Sequence, residues 1–126
     1  MYALCALSTP AEHDQSLGLI PAWKRYYTLE VERLYQLSLA ENLPLFILSG
    51  LFGLIPAHTA VPPDDHMLNW HEVAALIPRV CSQFSHHRIE ALLFFGRRSL
   101  PWQPYRFVMR SASAQGKVLI EERFFD

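Results

Sequence analysis

Asp64, Asp65 and His66 follow Pro62-Pro63 directly and form the most reactive cluster of side chains in the chain. A carboxylate there can accept a hydrogen bond from a sugar or base hydroxyl, act as a general base, or join an imidazole on a metal. Asp64 is the candidate base, with Asp65 and His66 as ligand contacts. Adjacent residues point in different directions, and no His-x-x-x-His or cysteine pair accompanies them, so neither a metal nor a cofactor is expected. An aspartate in such a turn can equally satisfy the backbone N–H groups of its own loop. A second candidate is Ser49-Gly50-Leu51-Phe52-Gly53, where a hydroxyl and two glycines let the backbone turn sharply and bring N–H groups close to an anion. It is neither a P-loop, lacking Gly-Lys-Ser/Thr, nor the G-x-G-x-x-G dinucleotide fingerprint. The third is Gly96-Arg97-Arg98, a guanidinium pair that can grip phosphate or carboxylate, or pair with Asp64 or Asp65. Cys5 falls within an apolar run and nothing places a base beside Ser49, so no nucleophile-and-base arrangement emerges.

These groups need elements to position them. Leu45–Leu48 is an unbroken apolar run closed by Ser49-Gly50, as expected of a strand covered on both faces, and it leads into a long loop reaching Leu68. Tyr2–Leu7 predicts a first, central strand ended by Ser8-Thr9-Pro10. Residues 11 to 25 predict an irregular loop, with Trp23 beside Lys24 and Arg25. Thr28 caps a predicted helix running to Asn42, which gives a βαβ unit with parallel strands. Asn69, with Glu72 three residues on, opens a second helix whose apolar face is interrupted by Pro78, predicting a kink or two short helices. Ile89–Phe95 predicts a third buried strand. Arg97–Pro104 is then a loop, and Tyr105–Arg110 with Val118–Phe125 predict an antiparallel hairpin at the sheet edge. The expected architecture is one α/β domain over residues 1–126, a three-layer sandwich with a mainly parallel sheet and an antiparallel C-terminal edge hairpin. Ligands of such sheets bind beyond the carboxyl ends of the strands. That rule selects Ser8, Thr9, Ser49, Gly50, Gly53, Asp64, Asp65, His66, Gly96, Arg97 and Arg98.

The segment Phe46–Ile55, followed by Val61–Leu68, resembles the "I-L-S-A-x-Y-G-L-[IV] … I-x-P-Y-D-x-x-L" signature of small bacterial and phage α/β domains. That group is similar to the peroxide-stress YaaA proteins and to a domain attached to some tRNA-guanine transglycosylase-type enzymes. The resemblance implies Ser49, Gly53, Asp64 and Gly96 as site positions, and a connection to nucleobases, nucleotides or nucleic acid. Gly50 stands where that group has Ala, Phe52 and Pro63 stand where it has Tyr, and the lysine at the end of its first strand is missing.

With 126 residues, 51% of them apolar, the chain can bury a single core. Its two cysteines suggest a reducing, cytoplasmic setting, and the broken apolar runs predict neither a leader nor a membrane span. The formal charge of -1 conceals an asymmetry: residues 79–117 carry Arg79, Arg88, Arg97, Arg98, Arg106, Arg110 and Lys117 against Glu90 alone. A basic half fits an anionic partner, although arginines scattered for solubility and paired with the acidic half give the same composition. Two functions follow as expectations. One is binding of a nucleotide, nucleobase-like or other phosphate-bearing ligand at the strand ends, with hydrolytic or transfer chemistry as an extension. The other is a non-enzymatic module that contacts nucleic acid or protein through the basic half and Trp102–Tyr105. An apolar C-terminal edge could also pair two copies into a homodimer.

Overall fold

The computed structural model describes residues 1–8 and 18–126. Thr9 and the loop residues through 17 lie outside the described residues. Five strands form the main sheet in the order β4-β3-β1-β6-β7. The central strand β1 (Tyr2–Leu7) runs parallel to β3 (Leu45–Ser49) on one side and to β6 (Ala91–Gly96) on the other. Both neighbours are in register with it, Cys5 lying opposite Phe46 and opposite Phe94. β4 (Gly53–Pro56) turns back antiparallel on β3, and β7 (Leu119–Phe124) extends the parallel array beyond β6.

The predicted mixed α/β architecture, mainly parallel with an antiparallel edge pair, is therefore present, but the antiparallel pair sits at the opposite edge from the expected one. The predicted C-terminal hairpin is absent. Gln103–Gly116 is helix α4, and β7 is parallel to β6. Tyr105, Val108, Met109 and Ala112 are buried at i, i+3, i+4 and i+7 spacing, and Pro104 stands in the first turn, where its missing N–H is harmless. Once that stretch is helical it provides the crossover a parallel strand requires. The long loop after β3 also carries structure: β4, and then β5 (Ala60–Val61), which pairs with β2 (Ile20–Pro21) in a short antiparallel ribbon.

Helices cover both faces. On one, α3 (Val73–His86) and α4 pack over Cys5, Leu7, Phe46, Leu48, Leu92 and Phe94. On the other, α2 (Leu29–Glu41), the short α1 (Ala22–Arg25) and the ribbon cover Leu4, Ala6, Leu45 and Ile47. Thr28 caps α2 by accepting the Val31 N–H, as expected. Asn69 and Glu72 complete a reciprocal capping box ahead of α3. Pro78 does not split α3, which is continuous from Val73 to His86. The carbonyl that loses its partner belongs to exposed Ala74, where water can replace the bond. Among the described residues no helix is long and apolar enough to cross a membrane.

Candidate functional site

The chain direction reverses about β1: one crossover carries it to β3 and the next carries it back across β1 to β6. Such a reversal opens a crevice at the carboxyl ends of the strands. Three predicted positions meet there. Ser49 is fully buried, and its Oγ accepts the N–H groups of Leu51 and Phe52, both at 3.1 Å. Gly50 is needed for a close approach, because a Cβ on it would stand 2.9 Å from the Leu68 Cβ and 3.0 Å from the Leu68 nitrogen. Gly53 has a φ of 77° and lies under Gln83, which accepts from Leu54 N–H at 2.7 Å and donates to the Phe52 carbonyl at 3.1 Å. The turn is thus fixed by its own hydroxyl and by a clamp from α3.

Asp64 is only 9% exposed. Its Oδ2 accepts the Tyr26 phenol at 2.5 Å, and its Oδ1 accepts the His66 N–H at 2.9 Å, closing a turn within the loop. Burial pushes the Tyr26 phenol up, and the bond to Asp64 pushes it further, while nearby Ser49 acts against both. Tyr26 therefore stays a proton donor at any physiological pH. Tyr105, delivered by α4, accepts the Leu68 N–H at 3.0 Å. Its own acidity is suppressed chiefly by burial, with the Leu68 N–H and Ser8 opposing. His66 Nε2 meets Glu72 Oε1 at 2.8 Å; the Asn69 backbone N–H first, and His66 after it, hold that carboxyl below the usual range. Asp65 is exposed.

The sequence reading overlooked Tyr26, Tyr105 and Gln83. Tyr26 carries no local signal, and the local composition around Tyr105 predicts a strand. Nor did that reading foresee Arg25, a fully buried guanidinium that donates to the carbonyls of Gly18 and Val61 and so ties the ribbon to α1.

Across β1, β6 ends at Gly96. Ser8 follows β1 directly and its N–H donates to the Leu48 carbonyl at 3.0 Å, while Arg97 follows β6. Arg97 lies over the Phe125 ring at 5.5 Å and reaches Glu30, in the first turn of α2, at 4.0 Å. Neither arginine pairs with Asp64 or Asp65. Arg98 is exposed and stacks on Phe124 of β7, while its N–H binds Asp126. It therefore stands apart from the crevice. Three buried polar atoms make no hydrogen bond among the described residues: Ser8 Oγ, on a residue only 3% exposed, Arg97 Nε, and Arg106 Nε, whose guanidinium lies over Phe124 at 4.7 Å. Ser8 is near enough to Tyr105 to influence its acidity, yet no bond of normal geometry joins them.

An open cleft of about 460 Å³ adjoins the Gly50 turn, lined by Leu51, His71, Glu72, Leu76 and Arg79. Its guanidinium already donates to the Leu51 carbonyl. Among the described residues no three His, Cys, Asp or Glu side chains converge as metal ligands. No family model matches the chain, and no curated protein or solved structure matches it.

Proposed function

We propose that this protein binds a small phosphate-bearing ligand, of nucleotide or nucleobase-like type, at the carboxyl ends of β1, β3 and β6. The supporting observation is that two buried groups at the strand ends, Ser8 Oγ and Arg97 Nε, make no hydrogen bond among the described residues. Leaving a buried hydroxyl unpaired costs about 1–3 kcal/mol, so such a group calls for a partner. An anionic oxygen would satisfy both groups, with the guanidinium supplying charge and the serine a donor. Tyr26, Ser49 and Tyr105 are buried and would support the site from beneath rather than present open surface to the ligand. Asp64 has both oxygens occupied, so its part in binding is to orient Tyr26, and a hydrolytic or transfer step would need Tyr26 to release Oδ2 before Asp64 could act as a base.

An interaction module for nucleic acid or protein is favoured by no specific feature. Folding disperses the basic block: Arg106 and Arg110 bind Glu122, Arg97 reaches Glu30, and Arg79 caps a carbonyl. Tyr105, expected on a contact loop, is fully buried.

The test is calorimetric titration with inorganic phosphate, AMP, GMP and free nucleobases, repeated on Ser8→Ala and Arg97→Gln. Binding by a phosphate-bearing compound, weakened at least tenfold by Arg97→Gln in a variant that melts as the parent does, would support the assignment. Absence of binding by every phosphate compound, or binding indifferent to both substitutions, would sink it.

A further inference from the structure

β7 is the outermost strand, and its bonds to β6 determine which of its backbone groups face outward. Leu119 N–H donates to the Glu90 carbonyl at 3.0 Å and Phe125 N–H to the Gly96 carbonyl at 2.9 Å. Odd-numbered residues therefore turn their backbone inward, and Ile120, Glu122 and Phe124 turn theirs to the open edge. Edges of this kind accept another strand unless something blocks them. This one carries no proline and no partner strand among the described residues, and its Leu119 is 76% exposed.

The segment from Leu119 to Phe125 is its own complement when reversed about Glu122. Glu121 falls opposite Arg123, Leu119 opposite Phe125, and Ile120 opposite Phe124. We propose that two copies of this chain pair antiparallel through β7, on a two-fold axis at Glu122, joining their sheets into one.

The register and the outward-facing backbone groups agree, with one exchange required: the Glu122 carbonyl accepts the Arg123 guanidinium at 3.2 Å in the single chain, an exposed bond that is given up when Arg123 turns to Glu121 of the second copy. With Glu122 on the axis, the hydrogen-bonded positions are Glu122 with its own copy and Ile120 with Phe124 of the second copy, and these are the residues whose N–H and C=O face outward. Glu121 and Arg123 then occupy the positions where antiparallel side chains approach most closely, which suits an ion pair. In the single chain these two pair with each other at 2.7 Å on an exposed face, so they are already extended for exchange. Two Glu122 carboxylates meeting at the axis would repel, but each is already held by Arg106 and Arg110 of its own chain. Leu119 gains apolar contact with Phe125 of the second copy, on the sheet face opposite α4. A single strand pair lies at the small end of stable interfaces, so the dimer is expected to be reversible, with a dissociation constant on the order of 10 µM.

Sedimentation velocity over a wide concentration range tests this on the full chain. Wild type should rise from 14.5 kDa towards twice that mass. Glu121→Arg alone and Arg123→Glu alone should each weaken association at least tenfold by facing like charges, and the double exchange should restore it. Each single variant loses only an exposed ion pair, so its melting temperature should stay near that of the parent. Ile120→Pro, which removes an N–H that bonds nothing within the fold, should abolish the dimer. A monomer at every concentration would overturn the proposal, as would a dimer unaffected by the single exchanges or left broken by the double one.

Discussion

Tyr26 and Asp64 form the most strongly coupled pair at the carboxyl ends of the strands, a buried carboxylate taking a phenolic proton at 2.5 Å. Tyr26→Phe keeps the ring's packing and leaves Asp64 Oδ2 without a donor, so chemical denaturation at neutral pH should show a loss of about 1–3 kcal/mol. The same pair predicts a dependence on alkali. The raised pKa means that the folded chain holds the Tyr26 proton after the unfolded chain has released it. Stability from this group is therefore intact below the ordinary tyrosine value of about 10 and is lost as pH climbs above it. The difference between wild type and Tyr26→Phe should shrink from pH 9 to pH 11. A difference that stays constant over that span would show that Tyr26 ionises no less easily in the fold than outside it. Ser49, Gly50, Gly53 and Asp64 were legible as candidates because each stands at a sequence-visible boundary, a strand end or a proline-marked turn. Tyr26 was not, because its role depends on a contact 38 residues away that no local pattern encodes.

Helices and strands were legible where local chemistry and burial pointed the same way. The capped start of α2, the capping box before α3 and the apolar runs of β1 and β3 were read correctly because local chemistry and burial agree there. Tyr105–Arg110 was misread because aromatic and branched side chains suggest a strand, while the spacing of Tyr105, Val108, Met109 and Ala112 makes a helix, and packing of α4 on α3 decides in favour of the spacing. The ends of α2, α3 and α4 share a further feature: Asn42, Arg88 and Lys117 all adopt left-handed backbone, with φ of 53°, 57° and 57°. Glycine is the usual choice at such an end, and a β-carbon there is strained. Arg88→Gly and Lys117→Gly should each stabilise the protein by about 0.5–1 kcal/mol, seen as a higher melting temperature. Gly53→Ala should do the reverse. Its φ is 77° and the new methyl would meet Gln83 Oε1 at 2.5 Å, so a loss of about 1–3 kcal/mol is expected. Melting curves of the three variants compare the two effects directly, and a stabilised Gly53→Ala would contradict the clamp described for the β3–β4 turn.

At the scale of the whole molecule, the charge asymmetry of the sequence becomes a cross-link in the fold. Glu122, near the end of the chain, receives Arg106 at 3.1 Å and Arg110 at 2.5 Å, so the last strand is tied to the helix that delivers it. Sequence alone places these residues in separate blocks, and only the α4 crossover brings them together. Partial burial works to raise the Glu122 carboxyl, but the two guanidiniums outweigh it and leave the carboxyl below the ordinary glutamate range. A lowered value fixes the sign: stability from this group is present above the unfolded glutamate value of about 4.3 and is lost as pH falls through the lower folded value. Glu122→Gln should therefore lower stability at pH 7 by about 1 kcal/mol, as expected for a partly exposed pair, and should flatten the acid limb of the stability profile. Denaturation midpoints taken from pH 7 down to pH 3, at one protein concentration, provide the check. If the two proteins lose stability in parallel below pH 4, the acid sensitivity lies in other carboxylates, and β7 is held to α4 by apolar packing of Ile120 and Val118 rather than by charge.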